Sequence, residues 1–448
     1  MKKTILLFLL TTTPFIGISQ DIPEILSLQD AINYALKNNR NAKNAQRSVE
    51  AANELKWETI ASGLPQIGVS LDYNYWLKQQ ISLIPSEFFG GNPGEFSEII
   101  FGTKQTMSVT ANLSQKIFDG SYLVGLQSAK VFLEIAKNAQ KKTVLDIRKS
   151  VINAYGNVLL AEESEKILEK NLQVLEINFN ETSKIYENGL IEEESVEQLQ
   201  ITLSRVKNNL LNARRLKDLA YKMLNLTLGI DVDSAVNLSD NLKFLTDENI
   251  VISLLNADED IEQTIDYKIA KNDTDSKELL VKLEKSKSLP TLNAFINGGY
   301  NSFSDDFVFL DNNNRWFGFS TVGVNLNVPI FSSGKRRAST QRAKINLEKS
   351  KDDLTETEQR LNLQIETAKS NYRFAVEDYT NKKQNLALAE RIENKNQTKF
   401  FEGVGSSFEL RQAQTQLYSA QQSLLQTMLN VINAKAELET ITNKISAN

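Results

Sequence analysis

Over the last hundred residues of this chain, apolar side chains fall at alternating spacings of three and four: Leu410, Ala413, Leu417, Ala420, Leu424, Val431, Ala434, Leu438 and Ile441. Thr427 is the only break. Further upstream, Leu361, Ile365, Ala368, Tyr372, Ala375 and Tyr379 keep the same step, which is a seven-residue seam of coiled-coil type. Residues 334–441 hold no proline, and their only internal glycines lie close together in Phe400-Phe401-Glu402-Gly403-Val404-Gly405-Ser406-Ser407-Phe408-Glu409-Leu410. Helix interiors exclude proline and glycine, so the pattern predicts two long helices around a single turn. At ~1.5 Å per residue, a helix of about 65 residues reaches on the order of 100 Å, and the hairpin must project beyond any small globular body.

The same block occurs earlier in the chain. Gly189 matches Gly403 at an offset of 214, and that offset also pairs Gly120 with Gly334, Gln127 with Gln341, Asn157 with Asn371, Gln198 with Gln412 and Leu210 with Leu424. Shared helical composition matches alanines and leucines; it does not keep glycine, glutamine and asparagine in one register. The chain therefore reads as two copies of one unit.

Ahead of each hairpin the period changes from 3.6 to 2. Ile67, Val69, Leu71, Tyr73 and Tyr75 alternate with small and polar residues, as do Met107, Val109, Ala111 and Leu113, then Leu292, Ala294, Ile296 and Tyr300, then Val322, Val324, Leu326, Val328 and Ile330. These are four strands, at about residues 65–76, 105–118, 290–301 and 316–331, each with one apolar and one polar face. Leu64-Pro65 and Leu289-Pro290 open the first strand of each pair, 225 residues apart, whereas Phe118 and Phe331, at the ends of the second strands, are 213 apart. The first copy's loop, about residues 77–104, is thus 12 residues longer, and length variation of this kind marks an exposed loop. A leading helix is predicted from Ser27-Leu28-Gln29-Asp30 toward Ser62, and its counterpart from about residue 261 to 287. Residues 230–260 lose periodicity and are acid-rich; they read either as a connecting segment wrapped outside the helices or as a disordered linker.

Alternating strands of about ten residues suit the wall of an outer-membrane β-barrel, with lipid on one face and water on the other. The alternative is a soluble sheet packed on the helices, but the helical seams are already committed to each other. A closed barrel needs at least ~8 strands, and four are present, so a barrel implies oligomerisation. On this reading Thr110, Asn112, Ser114, Thr321, Asn325 and Asn327 face the lumen, and Val109, Leu113, Val324 and Leu326 face lipid.

Met1-Lys2-Lys3, the apolar run 5–10 and the small and polar residues before Asp21 read as a signal peptide over residues 1–20, rather than a membrane anchor, because the run is far shorter than the ~20 residues a span needs. Its removal leaves 49 basic against 56 acidic residues, so nucleic acid is not an expected partner. The chain has no cysteine and no histidine. That removes disulfides, a lipidated cysteine, the usual zinc, copper and haem ligand sets, and histidine-based nucleophile activation. Gly334-Lys335 lacks the earlier glycine of a phosphate loop. No catalytic, cofactor-binding or metal site is expected, and no enzyme.

The opening Leu26-Ser27-Leu28-Gln29-Asp30-Ala31-Ile32, the doubled Leu-Pro strand openings, the strand exits Ile117-Phe118-Asp119-Gly120 and Ile330-Phe331-Ser332-Ser333-Gly334 and the Gly403-Val404-Gly405-Ser406-Ser407-Phe408-Glu409-Leu410 turn, in this order and duplicated, resemble the TolC-type outer-membrane efflux proteins of the outer membrane factor family. The resemblance implies a mainly α protein with membrane β: a homotrimer whose twelve-stranded barrel continues into a twelve-helix periplasmic tunnel. The domains are then a first repeat at 21–229, with a hairpin over 121–228; a connecting equatorial segment at 230–260; and a second repeat at 261–448, with a hairpin over 334–442. The partners implied are outer-membrane lipid, a periplasmic adaptor (membrane fusion protein) and an inner-membrane pump of RND or ABC type. The function implied is that of a passive exit duct for efflux or type I secretion, located in the outer membrane and extending into the periplasm. The rival reading from the residues alone is a secreted coiled-coil structural protein.

Two sets of residues are singled out. The turns Gly189-Leu190-Ile191 and Gly403-Val404-Gly405-Ser406-Ser407 expose apolar side chains at the far ends of the hairpins, where no core can cover them, and are expected to meet the adaptor; the plain alternative is a capped turn. Glu409 and Gln412, on the first turns after the second tip, are expected at the periplasmic entrance, with Glu409 as a ring of three carboxylates in a trimer. Alternatively, Glu409 caps Ser406.

Overall fold

The computed structural model describes residues 25–256 and 260–444, so the predicted signal peptide lies outside the described residues. The first copy runs β1 (Ile25–Leu26), α1 (Leu28–Asn38), α2 (Arg40–Ala61), β2 (Gln66–Tyr75), β3 (Ile81–Pro85), β4 (Phe96–Ile100), β5 (Gln105–Asp119), α3 (Gly120–Glu187) and α4 (Glu193–Leu228). Next come β6 (Asn237–Leu238) and α5 (Leu242–Glu248). The second copy contains α6 (Ile265–Ser286), β7 (Thr291–Ser304), β8 (Phe317–Asn327), α7 (Lys335–Phe401) and α8 (Ser407–Thr442).

The duplication is visible in the element boundaries. The ends of α3 and α7, and both ends of α4 and α8, stand 214 residues apart, while α2 and α6 have 22 residues each and stand 225 apart at both ends. The 68 residues of α3 and the 67 of α7 make rods of about 100 Å. Their return arms have only 36 residues each, and the remaining length is flanked by α2 and α6, which pack on α3 and α7. The seam residues Leu361, Ile365, Ala368, Tyr372, Ala375 and Tyr379 are all buried. Thr427 is buried as well; its hydroxyl donates to the Leu424 carbonyl (2.9 Å), so it occupies a seam position with its polar group satisfied inside its own helix.

The largest core lies midway along the rods. Val151, Tyr155 and Val158 of α3, Leu224 and Leu228 of α4, Tyr372 of α7 and Val431 and Ile432 of α8 meet Leu26, Ile32, Leu242 and Leu245 there. Residues 237–256, for which the sequence left a disordered linker open, are packed against this core. β6 pairs in parallel with β1. The Tyr155 hydroxyl shares its one proton between two acceptors, the Leu26 carbonyl (3.0 Å) and Asp240 Oδ2 (2.9 Å), and Asp240 Oδ2 also accepts from the Leu28 amide (2.7 Å). Tyr372 accepts from the Val251 amide (2.8 Å) and donates to the Asn249 carbonyl (2.6 Å). Seam aromatics thereby carry hydroxyls that hold the connecting segment. A buried ion cluster lies nearby, with Arg148 Nη2 at 2.8 Å and Lys435 Nζ at 3.6 Å from the two oxygens of Glu439.

The leading helix differs from expectation, because it breaks at Asn39 into α1 and α2. Asn39 accepts from the Asn41 amide (2.8 Å), and its own amide reaches the Thr227 carbonyl (2.7 Å) at the end of α4. Gly229 closes α4 at φ +83°, and a Cβ there would stand 2.7 Å from the Asn38 carbonyl oxygen, so the close approach of the two segments requires glycine. α6 likewise begins later than expected, at Ile265, because Thr264 caps it after a 3-10 turn over Ile261–Gln263.

The sheet has the order β2-β5-β7-β8, and every neighbouring pair is antiparallel. Cross-strand partners share a face, and the register aligns Ile67, Leu113, Ile296 and Val322 in one apolar row beside the row Gly68, Asn112, Asn297 and Thr321. The lumen and lipid sets named from sequence lie on opposite faces accordingly. The last strand is shorter than expected: it stops at Asn327, and Val328 and Ile330 lie beyond it. Residues 77–104 are not a plain loop but carry the two-stranded sheet β3–β4. Among the described residues, no helix is long and apolar enough to cross a membrane.

Candidate functional site: the two hairpin tips

Both tips close in the same way. Gly189 sits at φ +73° and Gly403 at φ +74°, the left-handed conformation that only glycine adopts without strain. At each, the glycine amide donates to the residue three back (Tyr186, 2.7 Å; Phe400, 3.1 Å) and the next amide to the residue five back (Ile185, 3.1 Å; Lys399, 3.0 Å). This is the Schellman closure, which satisfies the last carbonyls of a helix. No atom approaches the place of a Cβ at either glycine, so the backbone angle, not crowding, demands glycine.

The following residue is an apolar one with nothing to cover it: Leu190 is 74% exposed and Val404 75%. The near-identity of the two values shows that both copies present the same feature. Ile191 is half-buried, and Gly405 lies tight against Lys399. Phe408 adds a further exposed ring, with the Arg411 guanidinium over it at 5.3 Å. Phe408 falls outside the set named from sequence; its signal is an aromatic residue placed directly after Ser406-Ser407, on the first turn of a helix with no neighbour beyond.

The polar residues of the tip are engaged within the chain, and the cap that the sequence offered for Glu409 is present. The Ser406 hydroxyl accepts from the Glu409 amide (3.2 Å) while the Glu409 carboxylate accepts from the Ser406 amide (3.2 Å), a complete capping box. Ser195 Oγ donates to Ser407 Oγ (3.1 Å), which joins the first hairpin to the second at their ends. Glu409 and Gln412 are both exposed.

Above the tips lies a buried polar layer. Glu393 on α7 and Gln414 on α8 are both buried, as are Asn178 and Thr182 on α3, and Gln397 donates to Asn178 Oδ1 (3.3 Å). Burial pushes the Glu393 carboxyl above its usual 4.5, an effect that Gln414 partly offsets. Among the described residues, no group of three or more acidic, histidine or cysteine side chains is placed to hold a metal.

A doubled rod-and-sheet unit with an apolar sheet face and exposed apolar tips defines a class of membrane conduit. The sequence matches the outer membrane efflux protein family over residues 31–229 and 267–444, and the chain belongs to that family. It is an outer-membrane protein that extends into the periplasm, and its family is one of efflux channels rather than enzymes. Among solved structures it is similar to the outer membrane protein VceC of Vibrio cholerae (17% identity over 93% of this chain and 95% of that one, TM-score 0.71). The Campylobacter jejuni CmeC outer membrane channel is similar at 18% identity over 93% and 85%, TM-score 0.72. So is the open state of the Neisseria gonorrhoeae MtrE outer membrane channel, at 16% over 93% and 88%, TM-score 0.71. No curated protein sequence matches it.

Proposed function

We propose that three copies of this chain close a twelve-stranded barrel in the outer membrane and a twelve-helix tunnel in the periplasm, forming a passive exit duct. It does no chemistry, and the energy for transport comes from a partner. The duct meets a periplasmic adaptor through Leu190 and Val404 at the tips, and through it an inner-membrane pump of RND or ABC type. The units are the repeats 21–229 and 261–448 joined by 230–260.

One observation carries the reading. The sheet has only four strands, its outer strands β2 and β8 each have a single neighbour, and its apolar face leaves Ile67, Val69, Val322 and Val324 more than 70% exposed. Unpaired strand edges are untenable in lipid, and an apolar face is untenable in water. Repeating the sheet around an axis removes both problems, because β2 of each copy then pairs with β8 of the next. The test is native mass determination of detergent-extracted protein with planar-bilayer recording. Three chains and a conducting pore are expected; a monomer without conductance overturns the proposal.

A further inference from the structure

The first copy carries one element that the second lacks. β3 and β4 form a hairpin between β2 and β5, whereas residues 305–316 alone join β7 to β8. The register pairs Ile81 with Ile100, Leu83 with Glu98 and Pro85 with Phe96 on one face, and Ser82 with Ile99 and Ile84 with Ser97 on the other. The second face is half-buried, and the hairpin base is tied to the β7–β8 turn of its own chain: the Lys104 amide donates to Asp305 Oδ1 (2.9 Å) and Gln105 Nε2 to the Asp305 carbonyl (3.0 Å), while Phe307 and Phe309 lie 5.7 and 6.0 Å from the Tyr73 ring of β2. The first face has no cover: Leu83 is 63% exposed and Phe96 62%, with the carboxylate of Glu98 in their midst.

We propose that this face is an intersubunit clasp, seated on the β7–β8 turn of the adjacent copy, with Glu98 paired to that copy's Arg315. The inference rests on the ring closure proposed above. β2 leaves the helical end of the sheet after α2, and β8 returns to it before α7, so Tyr75 and Phe317 mark the end farthest from the helices. Closing the ring sets β2 of one copy antiparallel to β8 of the next, one strand spacing of about 4.8 Å away, whereas its own β8 stands three spacings off, about 14 Å. The start of its own chain's turn already lies against the hairpin base, so it is the uncovered outer face that meets the neighbour's Arg315-Trp316-Phe317.

The chemistry of the two surfaces matches. Arg315 is exposed, its guanidinium lies 4.9 Å from the Phe317 ring, and neither it nor Glu98 has an ion-pair partner among the described residues. Residues 79–103 contain Glu87, Glu95 and Glu98 and no lysine or arginine, which suits a cationic protein surface and disfavours an anionic lipid headgroup layer. An arginine stacked on an aromatic ring within an apolar patch is the partner an isolated carboxylate on an apolar face calls for. The asymmetry of the duplication follows, since each junction needs one hairpin and one short turn to receive it.

The chain has no cysteine, so Glu98→Cys with Arg315→Cys introduces the sole thiols. Oxidation in outer membranes should give reducible covalent dimers and trimers in denaturing gels, and neither single variant should. An intrachain product, or none, from a protein that still migrates as a native trimer overturns the clasp and leaves the duct reading intact. A wild-type chain that is not trimeric overturns both. Charge reversal is the second arm: Glu98→Arg and Arg315→Glu should each lower the temperature at which the trimer dissociates, and the double variant should recover most of the loss. Losses that simply add, or a hairpin whose charge makes no difference because it rests on lipid, overturn the pairing.

Discussion

At the scale of single residues, the tips separate two roles that the sequence ran together. Gly403 is needed for its φ, and a substitution there strains the turn before any partner is met, so Gly403→Ala costs about 1 kcal/mol in the hairpin whether or not a partner docks. The Val404 side chain has no structural duty: it is exposed, and the turn uses only the backbone amide of this residue. Val404→Glu is therefore the cleaner variant, and it should abolish efflux while trimer level and outer-membrane location stay normal; retained efflux shows that the tip only reverses the chain. Glu409 holds a capping box that glutamine also sustains, so Glu409→Gln keeps the cap and removes the charge. Thermal stability should stay unchanged while single-channel recordings show a fall in cation preference, and an unchanged preference leaves Glu409 as a cap alone. The glycines and the Ser-x-x-Glu box were legible in the sequence because they are local. The Ser195–Ser407 contact was not, because it joins residues 212 apart that do not correspond in the two copies.

At the scale of elements, long periodic segments were legible and short ones were not. The seams of α7 and α8 run for many turns, so apolar spacing identifies them even with Thr427 in the run. β3 and β4 have five residues each, Pro85 ends one of them, and glycines crowd between them, so alternation has no length in which to show. The break at Asn39 comes from the approach of Gly229 nearly two hundred residues away, and the anchoring of 237–256 from the hydroxyls of Tyr155 and Tyr372, both long-range effects. The buried layer above the tips carries an element-scale prediction. Glu393 has a raised folded-state pKa, so the folded chain holds that proton to a higher pH than the unfolded chain does, and its stabilising contribution, complete below the usual 4.5, is lost as pH rises through the folded value. Raising the pH therefore weakens the layer in which α7 meets α8 and Asn178 of α3. Glu393→Gln should raise the melting temperature at pH 7, and the difference from wild type should shrink to nothing below about pH 4.5. A difference that is constant across pH assigns the gain to packing instead.

At the scale of the whole molecule, the sheet decides whether the duct exists, and its register says where to test it. Leu326 faces lipid by sequence, but it is the penultimate residue of β8, close to the helices and hence to the periplasmic boundary of the bilayer, where a charge costs little. Val322 is the middle of the eleven residues of β8, is 77% exposed, and continues the apolar row of Ile67, Leu113 and Ile296. Thr321 precedes it on the opposite face, in the polar row of Gly68, Asn112 and Asn297. An arginine at the bilayer midplane costs about 2–4 kcal/mol and near the interface about 0–1. In the proposed trimer, three copies multiply that cost within one assembly. Val322→Arg should therefore reduce the trimer recovered from outer membranes severely, Leu326→Arg only slightly, and Thr321→Arg hardly at all, while Thr321→Arg shifts the ion preference of the pore. Equal recovery of the Val322 and Thr321 variants places both faces in water, and the sheet is then not a barrel wall.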